Sequence, residues 1–486
     1  MTASLEVPPV HLHIGDQLIG EGTAGVHEHV WPVDGSVQGP VPLAGADQVD
    51  AAVLAADAAF AEWRAWKPAE RAALLRRLAQ VVRADREELG RLCVLDNGMT
   101  RGMGEMAADV LANYTEYYAG WADKIEGRVT STPGQSRELA YTVPEPYGVV
   151  AVIMTWNSPL FSVGMKLIPA LAAGNTVVLK PSELTPYSSE RFMQLVRDAG
   201  FPPGVVNLLI GGAETGDRLV RHPIVQKVSF TGGPATAKKI LAACAESLKP
   251  AVLELGGKSA NLIFPDADLA TVSLVNAFSV CGVLAGQGCA IPSRMLVHDD
   301  VYDEVADRVV EAVRNMPVGD PFDPGTIISP LVTKAAQERV LGMMERAQAE
   351  GAGKLLLGGG VPDGEFAAGF YVEPTVFGDV DPQSELGQVE VFGPVLSLLR
   401  FSSEEEAVRI ANSTAYGLAS YVWTNDAARI SRLSTQLRAG GVYVNGAPPV
   451  IGCELPFGGV GISGFGREGG QEGLFEFLRT KAVAIA

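Results

Sequence analysis

The chain of 486 residues has few of the patterns that mark a metal or disulfide protein. Its five cysteines, Cys93, Cys244, Cys281, Cys289 and Cys453, form no CxxC pair. Scattered thiols in odd number suit a reducing compartment, with at least one free to react. Six histidines include no HExxH or other ligand spacing, so no metal site is expected. Basic side chains are scarce beside acidic ones, 38 against 56, and the formal charge of −18 argues against nucleic acid or anionic membrane as partner. No window approaches the roughly 20 apolar residues of a membrane span. The opening MTASLEVPPVHLHIGDQLIG has no basic region followed by an apolar core. A cytoplasmic protein is expected.

At 47% apolar and 19% charged residues the chain can build a large core, and its length implies two or three domains. From Asp47 to about Gly120, apolar residues return every three or four positions, as in AERAALLRRLAQVVRADREELGRL, which predicts amphipathic helices. Between Trp121 and Glu145 a polar stretch with Pro and Gly predicts an extended excursion. From Tyr147 the runs GVVAVIM, TVVLK, VVNLLIG, QKVSF and AVLEL alternate with four helical stretches. This predicts a doubly wound parallel sheet with ligand sites at the carboxyl ends of its strands. After Gly256 a helical segment, LATVSLVNAFSVCG, the strand RMLVH and further helices and strands predict a second α/β domain.

Several residues are placed for chemistry. Cys289 lies in AGQGCAIPSR, a glycine-flanked loop in which no large neighbour hinders the sulfur. Glu254 ends the fifth strand in AVLELGGKS, where an apolar cleft would raise its pKa and suit it to general-base work. Asn157, after the first strand in IMTWNSPLF, carries an amide that can donate to an oxyanion. Lys180 and Glu183 leave the second strand in LKPSE, and FTGG at Phe230 to Gly233 opens a helix whose N-terminal amides suit a phosphate.

Taken in order, TWN, LKPSE, FTGG, ELGGKS, GQGC, EVFGP and PFGGVGISGFGRE resemble the aldehyde dehydrogenase superfamily across nearly the whole chain. The resemblance implies a Rossmann-like cofactor domain at 1–122 and 146–255, a catalytic α/β domain at 256–470, and a small β oligomerisation element at 123–145 and 471–486. In that element, tail and excursion would pair across the subunits of a homodimer or homotetramer. It implies Cys289 as nucleophile, Glu254 as general base, Asn157 with the Cys289 amide as oxyanion hole, and Lys166 as electrostatic support for the cysteine. NAD, or more weakly NADP, would be held by Thr155, Trp156, Lys180, Ser182, Glu183, Phe230, Gly232, Gly233, Leu255, Glu390 and Phe392. The aldehyde tunnel would be lined by Ser158, Phe161, Met165, Gly288, Ala290 and Cys453. Because Ser158, Gly288 and Ala290 are small and none of the six is cationic, a medium or bulky hydrophobic or aromatic aldehyde is expected.

Two positions depart from the family: Gly461, where Lys is frequent, and Gly233, where Ser or Thr is common. One additional residue separates Glu254 from Cys289. The nearest rival is an acylating dehydrogenase that passes the thioester to coenzyme A, and such relatives typically lack the glutamate present here as Glu254. A non-catalytic nucleotide-binding protein on the same fold is the rival from another class.

Overall fold

The computed structural model describes residues 5–131, 139–449 and 452–485. Its first sheet has eight strands, in the order Gly464–Phe465, Ala251–Glu254, Val225–Thr231, Val149–Ile153, Thr176–Lys180, Val206–Leu208, Leu12–Ile14 and Gln17–Ile19. The five central strands are parallel and are the five runs the sequence predicts. Val149–Ile153 and Thr176–Lys180 are buried throughout because helices cover both faces of the sheet, which explains their unbroken apolar sequence. From Val149–Ile153 the chain winds first to Thr176–Lys180 on one side and later to Val225–Thr231 on the other. The reversal opens a crevice at the carboxyl end of Val149–Ile153.

The second sheet runs Lys354–Leu357, Thr375–Gly378, Val395–Phe401, Arg294–His298, Ala260–Ile263, Ala419–Trp423 and Gly441–Val444, parallel except at its first pair. The third is antiparallel and joins Leu478–Ile485, Leu139–Pro146 and Val129–Thr130. The excursion expected at 123–145 is therefore real and pairs with the tail, from Leu478 opposite Pro146 to Ile485 opposite Leu139. This pairing lies within one chain. It corrects the expectation that tail and excursion pair across subunits: their mutual ladder forms within a single chain, and the tail is left as an edge strand of the sheet. Positions 132–138 of the excursion lie outside the described residues.

The helical run Leu269–Gly286 is long and apolar enough, by length and composition, to cross a membrane, which corrects the expectation that no window comes close. Half of it is buried, and Val272, Ala277, Val280 and Cys281 pack into the core beside the second sheet. The run is also broken. Leu269–Ala277 is α-helical, Phe278–Gly282 forms a π turn, and Leu284 and Ala285 then adopt left-handed backbone at φ 51° and 48°. A π turn holds one residue more than an α turn, which gives the additional residue before Cys289 a place.

Gly464 sits opposite Glu254 in the edge pairing at φ +105°, and a Cβ there would overlap the carbonyl of Leu253. This short edge strand fixes the end of the strand that carries Glu254. Gly464→Ala is expected to cost on the order of 1–3 kcal/mol, the usual range for an L side chain forced into such a conformation. Chemical denaturation alongside turnover tests this; wild-type stability with wild-type turnover would contradict it.

Candidate active site

Three segments from different parts of the sequence meet at the crevice. Asn157 follows the strand Val149–Ile153, Glu254 ends the strand Ala251–Glu254, and Cys289 follows the broken helix. The glycines after Glu254 make the meeting possible. A Cβ on Gly256 would overlap the carboxylate of Glu390, and one on Gly257 would overlap the carbonyl of Cys289. The Gly257 amide instead donates to Glu390 Oε1 at 2.9 Å. Asn157 Nδ2 donates to the carbonyl of Gln287 at 2.9 Å, which leaves its second N–H free to face an oxyanion beside Cys289. Gln287 is itself tied down: its Nε2 donates to Leu284 O at 3.0 Å and its Oε1 accepts from Val332 N at 3.0 Å.

Burial dominates the electrostatics. Both carboxylate oxygens of Glu254 are buried without a hydrogen-bond partner among the described residues. Burial pushes this carboxyl well above the ordinary carboxylate range, and the neighbouring charge of Glu468 pushes it further. The Cys289 thiol is likewise pushed well up, first by burial and then by Glu254 and Glu390. Lys166, fully buried, pairs with Glu468 and donates to Ser229 Oγ at 3.3 Å. Its charge opposes the rise at Glu254, so the group expected beside the cysteine is engaged one shell further away. Glu468, quoted within GFGRE but given no role from sequence, is held by backbone pairing with Phe457. Nothing in the motif separates a buried glutamate from a solvated one.

The groups expected to hold a dinucleotide surround the same crevice. Gly233 caps the 13-residue helix Pro234–Glu246, and a Cβ there would meet nothing within 4 Å, so the helix N-terminus opens onto free space. A phosphate fits there on the exposed amides. Gly232 is backed by the ring of Phe230. Lys180 is buried and donates to Pro181 O at 3.1 Å; burial lowers its pKa and the charge of Glu183 opposes that shift, while Ser182 Oγ accepts from Leu184 N at 3.2 Å. Leu255 N donates to Ser463 O at 3.1 Å, and Thr155 is half-buried at the mouth of the crevice. Trp156 meets Phe392 edge to face across the two domains, with ring centroids 5.5 Å apart. Burial raises the Glu390 carboxyl to about 7. Two neighbours had no signal in the sequence: Asn97, whose Nδ2 donates to Trp156 O at 2.8 Å, and Arg339, which donates to Phe392 O at 3.4 Å; a third, Lys258, lies within ELGGKS without an expected role, and its buried Nζ has no partner among the described residues.

Residues 20–483 match the model of the aldehyde dehydrogenase family. The chain belongs to the aldehyde dehydrogenase family. It is 41% identical over 443 residues to betaine aldehyde dehydrogenase of Bacillus subtilis, with 90% of each chain covered. It superposes on PnpE of Pseudomonas sp. WBC-3 with a TM-score of 0.95 and 40% identity over 98% of each chain. It superposes on a betaine aldehyde dehydrogenase of Staphylococcus aureus, solved with NAD+, with a TM-score of 0.94 and 35% identity, covering 98% of this chain and 94% of that one.

Within this family member, the tunnel candidates fall on both sides of Cys289. Ser158 caps the short helix Pro159–Ser162 next to Asn157, Phe161 is half-buried, and Met165 is buried in the π turn that follows. Gly288 makes room for Ile291, against which a Cβ would press, and Ala290 and Cys453 are buried. Sequence reasoning missed the phenols around them. Tyr421 and Tyr443 lie near enough to Cys289 for its charge to act on both. Tyr114 has a buried hydroxyl without a partner among the described residues, near enough to Cys453 and Glu454 for their charges to act on it. Gly461, the family departure, has φ +63° and lies against Ala415 O, so a lysine would be strained there.

Because Glu254 raises the Cys289 thiol, removing its charge should let the thiol ionise at lower pH. Glu254→Gln is expected to alkylate faster than wild type at neutral pH, with the rate–pH profile moved down. Iodoacetamide labelling read by peptide mass measures this. Slower labelling would instead mark Glu254 as the acceptor of the thiol proton.

Proposed function

We propose that this aldehyde dehydrogenase family member oxidises an aldehyde to its carboxylic acid with NAD+, through a thioester on Cys289. The convergence of Cys289, the Asn157 amide and the unpaired Glu254 carboxyl carries the reading. The thiolate of Cys289 adds to the aldehyde carbon, and the resulting oxyanion is met by the free N–H of Asn157 and the Cys289 amide. NAD+, when bound, supplies the hydride acceptor. Gly233 and its helix would take the pyrophosphate, Lys180 and Glu183 the adenosine ribose, and Glu390 and Phe392 the nicotinamide half. Burial makes Glu254 a stronger base than an exposed carboxylate, so once ionised it takes a proton from the water that releases the acid. The presence of Glu254 favours hydrolysis over transfer to coenzyme A.

The substrate we infer is a medium or bulky hydrophobic or aromatic aldehyde. Ser158, Gly288 and Ala290 leave width, and Phe161, Met165, Tyr421 and Tyr443 supply apolar surface. A second reading, an aminoaldehyde, is favoured by the names of the betaine aldehyde dehydrogenases and by Glu454 beside Tyr114 and Tyr117, a pairing that suits a cation. Five free cysteines fit a cytoplasmic setting, and the outer edges of the three-stranded sheet, with Val129 exposed, fit a homodimer or homotetramer.

Cys289→Ala is expected to abolish oxidation and retain NAD+ binding. Glu254→Gln should leave a burst of NADH and an acyl-enzyme visible by intact mass, and Asn157→Ala should lower kcat on the order of 10²- to 10³-fold. An identical burst from the last two, with no mass shift, would overturn their separate roles.

Glu183 should repel a 2′-phosphate, so kcat/KM with NAD+ is expected to exceed that with NADP+. In the same assay, benzaldehyde should exceed acetaldehyde, succinic semialdehyde and a cationic aminoaldehyde. A clear preference for the last selects the second reading.

A further inference from the structure

The loop that presents Cys289 is fixed at three consecutive points. Before the cysteine, Gln287 O accepts from Asn157 Nδ2 at 2.9 Å. At the cysteine, its carbonyl rests against the bare Gly257. After it, Ala290 O accepts a hydrogen bond from the hydroxyl of Tyr421 at 2.7 Å. The first point comes from the expected oxyanion donor and the second from the ELGG turn. The third comes from the second sheet and from a residue that no motif singles out.

The tyrosine is built for a fixed contact. It lies mid-strand in Ala419–Trp423, with parallel neighbours on both sides, and its backbone partner across the ladder is Tyr443. Residues paired this way share a face of the sheet. The two rings pack at 5.5 Å, and each residue is only 8% exposed. Gly441 leaves the space that the Tyr443 ring covers, since a Cβ there would press on the phenol. Beyond Ala290 the chain turns at Ile291, whose side chain fills the space a Cβ on Gly288 would need. The Tyr421 hydroxyl therefore reaches a loop with little freedom, from a ring with little freedom.

We propose that Tyr421 is a positioning residue for the nucleophile: its hydroxyl holds the Ala290 carbonyl so that the Cys289 sulfur and amide face the aldehyde, opposite the hold that Asn157 exerts. The consequence for acylation rests on the dehydrogenase reading above; the consequence for the thiol does not. A catalytic group must be held to within about 0.5 Å and 10–20° of its working position, and one buried hydrogen bond on a short loop suffices to make that difference.

Tyr421→Phe removes the hydrogen bond and keeps the ring. Two effects of opposite sign are expected. Release of the loop opens the half-buried thiol further to solvent, so labelling of Cys289 by iodoacetamide, followed by peptide mass, quickens about threefold or more. The aldehyde meets a misaligned sulfur and amide, so the rate of the NADH burst falls about tenfold, the scale of one net hydrogen bond. NAD+ binding stays at its wild-type Kd. Tyr302→Phe is the control: its buried hydroxyl accepts from Asp379 N at 2.6 Å in the core of the second domain, so its loss tests general destabilisation. It is expected to change neither rate. Unchanged labelling and burst rates in Tyr421→Phe, or changes matched by Tyr302→Phe, overturn the proposal. If wild type gives no burst with any aldehyde, the dehydrogenase reading falls, while the labelling comparison still decides whether Tyr421 holds the loop.

Discussion

Where the strand Ala251–Glu254 ends, two residues without side chains let one half of the molecule close on the other. Gly256 admits the Glu390 carboxylate and Gly257 admits the Cys289 carbonyl, each at a distance no Cβ would tolerate. Any larger residue at either position would push the second sheet away from the first. The distance from Glu254 to the cysteine, the hydrogen bond from Gly257 to Glu390 and the meeting of Trp156 with Phe392 would then be lost together. The contact of Gly257 with the Cys289 carbonyl is backbone against backbone and is rigid in a way that the contact of Gly256 with the Glu390 side chain is not, because neither of its partners has rotamers to adjust.

Closure carries an electrostatic cost, which falls on the groups expected to react. With Glu254 buried and Glu390 and Cys289 half-buried around it, their ionised forms are disfavoured by lost hydration, and those of Glu254 and Glu390 further disfavour that of the Cys289 thiol. Two cations offer themselves to lower the thiol pKa, a nicotinamide ring and Lys166. The structure commits the lysine to Glu468 and Ser229. There its charge opposes the upward shift of Glu254, while the charges that act most on the Cys289 thiol, those of Glu254 and Glu390, both push it up.

The sequence carries those parts of this arrangement that repeat or punctuate. The five parallel strands are continuous apolar runs because both faces are covered, and Glu254, Asn157 and Gly233 stand at strand ends and helix starts that periodicity locates. What pairs over long distance is not visible that way. Leu12–Ile14 and Gln17–Ile19 are too short to show alternation, Ala260–Ile263 is four residues at the centre of the second sheet, and Gly464–Phe465 is an edge of two residues inside a glycine-rich loop. Tyr421 and Tyr114 read as ordinary core aromatics. Only the placement of their hydroxyls, one on Ala290 O and the other without a partner among the described residues, sets them apart. The resemblance already pairs the tail with the excursion, but it sets that ladder across subunits, and nothing local in either strand says that the pairing closes within one chain.

Strain at the site follows the same division between local preference and distant contact. Six residues other than glycine have positive φ among those described, and three of them, Leu284, Ala285 and Phe392, flank the catalytic crevice. None has a side chain that favours such a conformation, and Leu284 and Phe392 are held by hydrogen bonds that lead to groups far away in sequence. The Leu284 carbonyl is bound by Gln287, whose other end is fixed by Val332, and Phe392 is held by Arg339 and packed on Trp156. Such backbone persists only where its surroundings over-determine it. The cysteine loop meets that condition twice, being twisted at its start by Leu284 and Ala285 and fastened on either side of Cys289 by Asn157 and Tyr421. A loop made this way has few alternative conformations to visit, so the position of Cys289 is set by the fold.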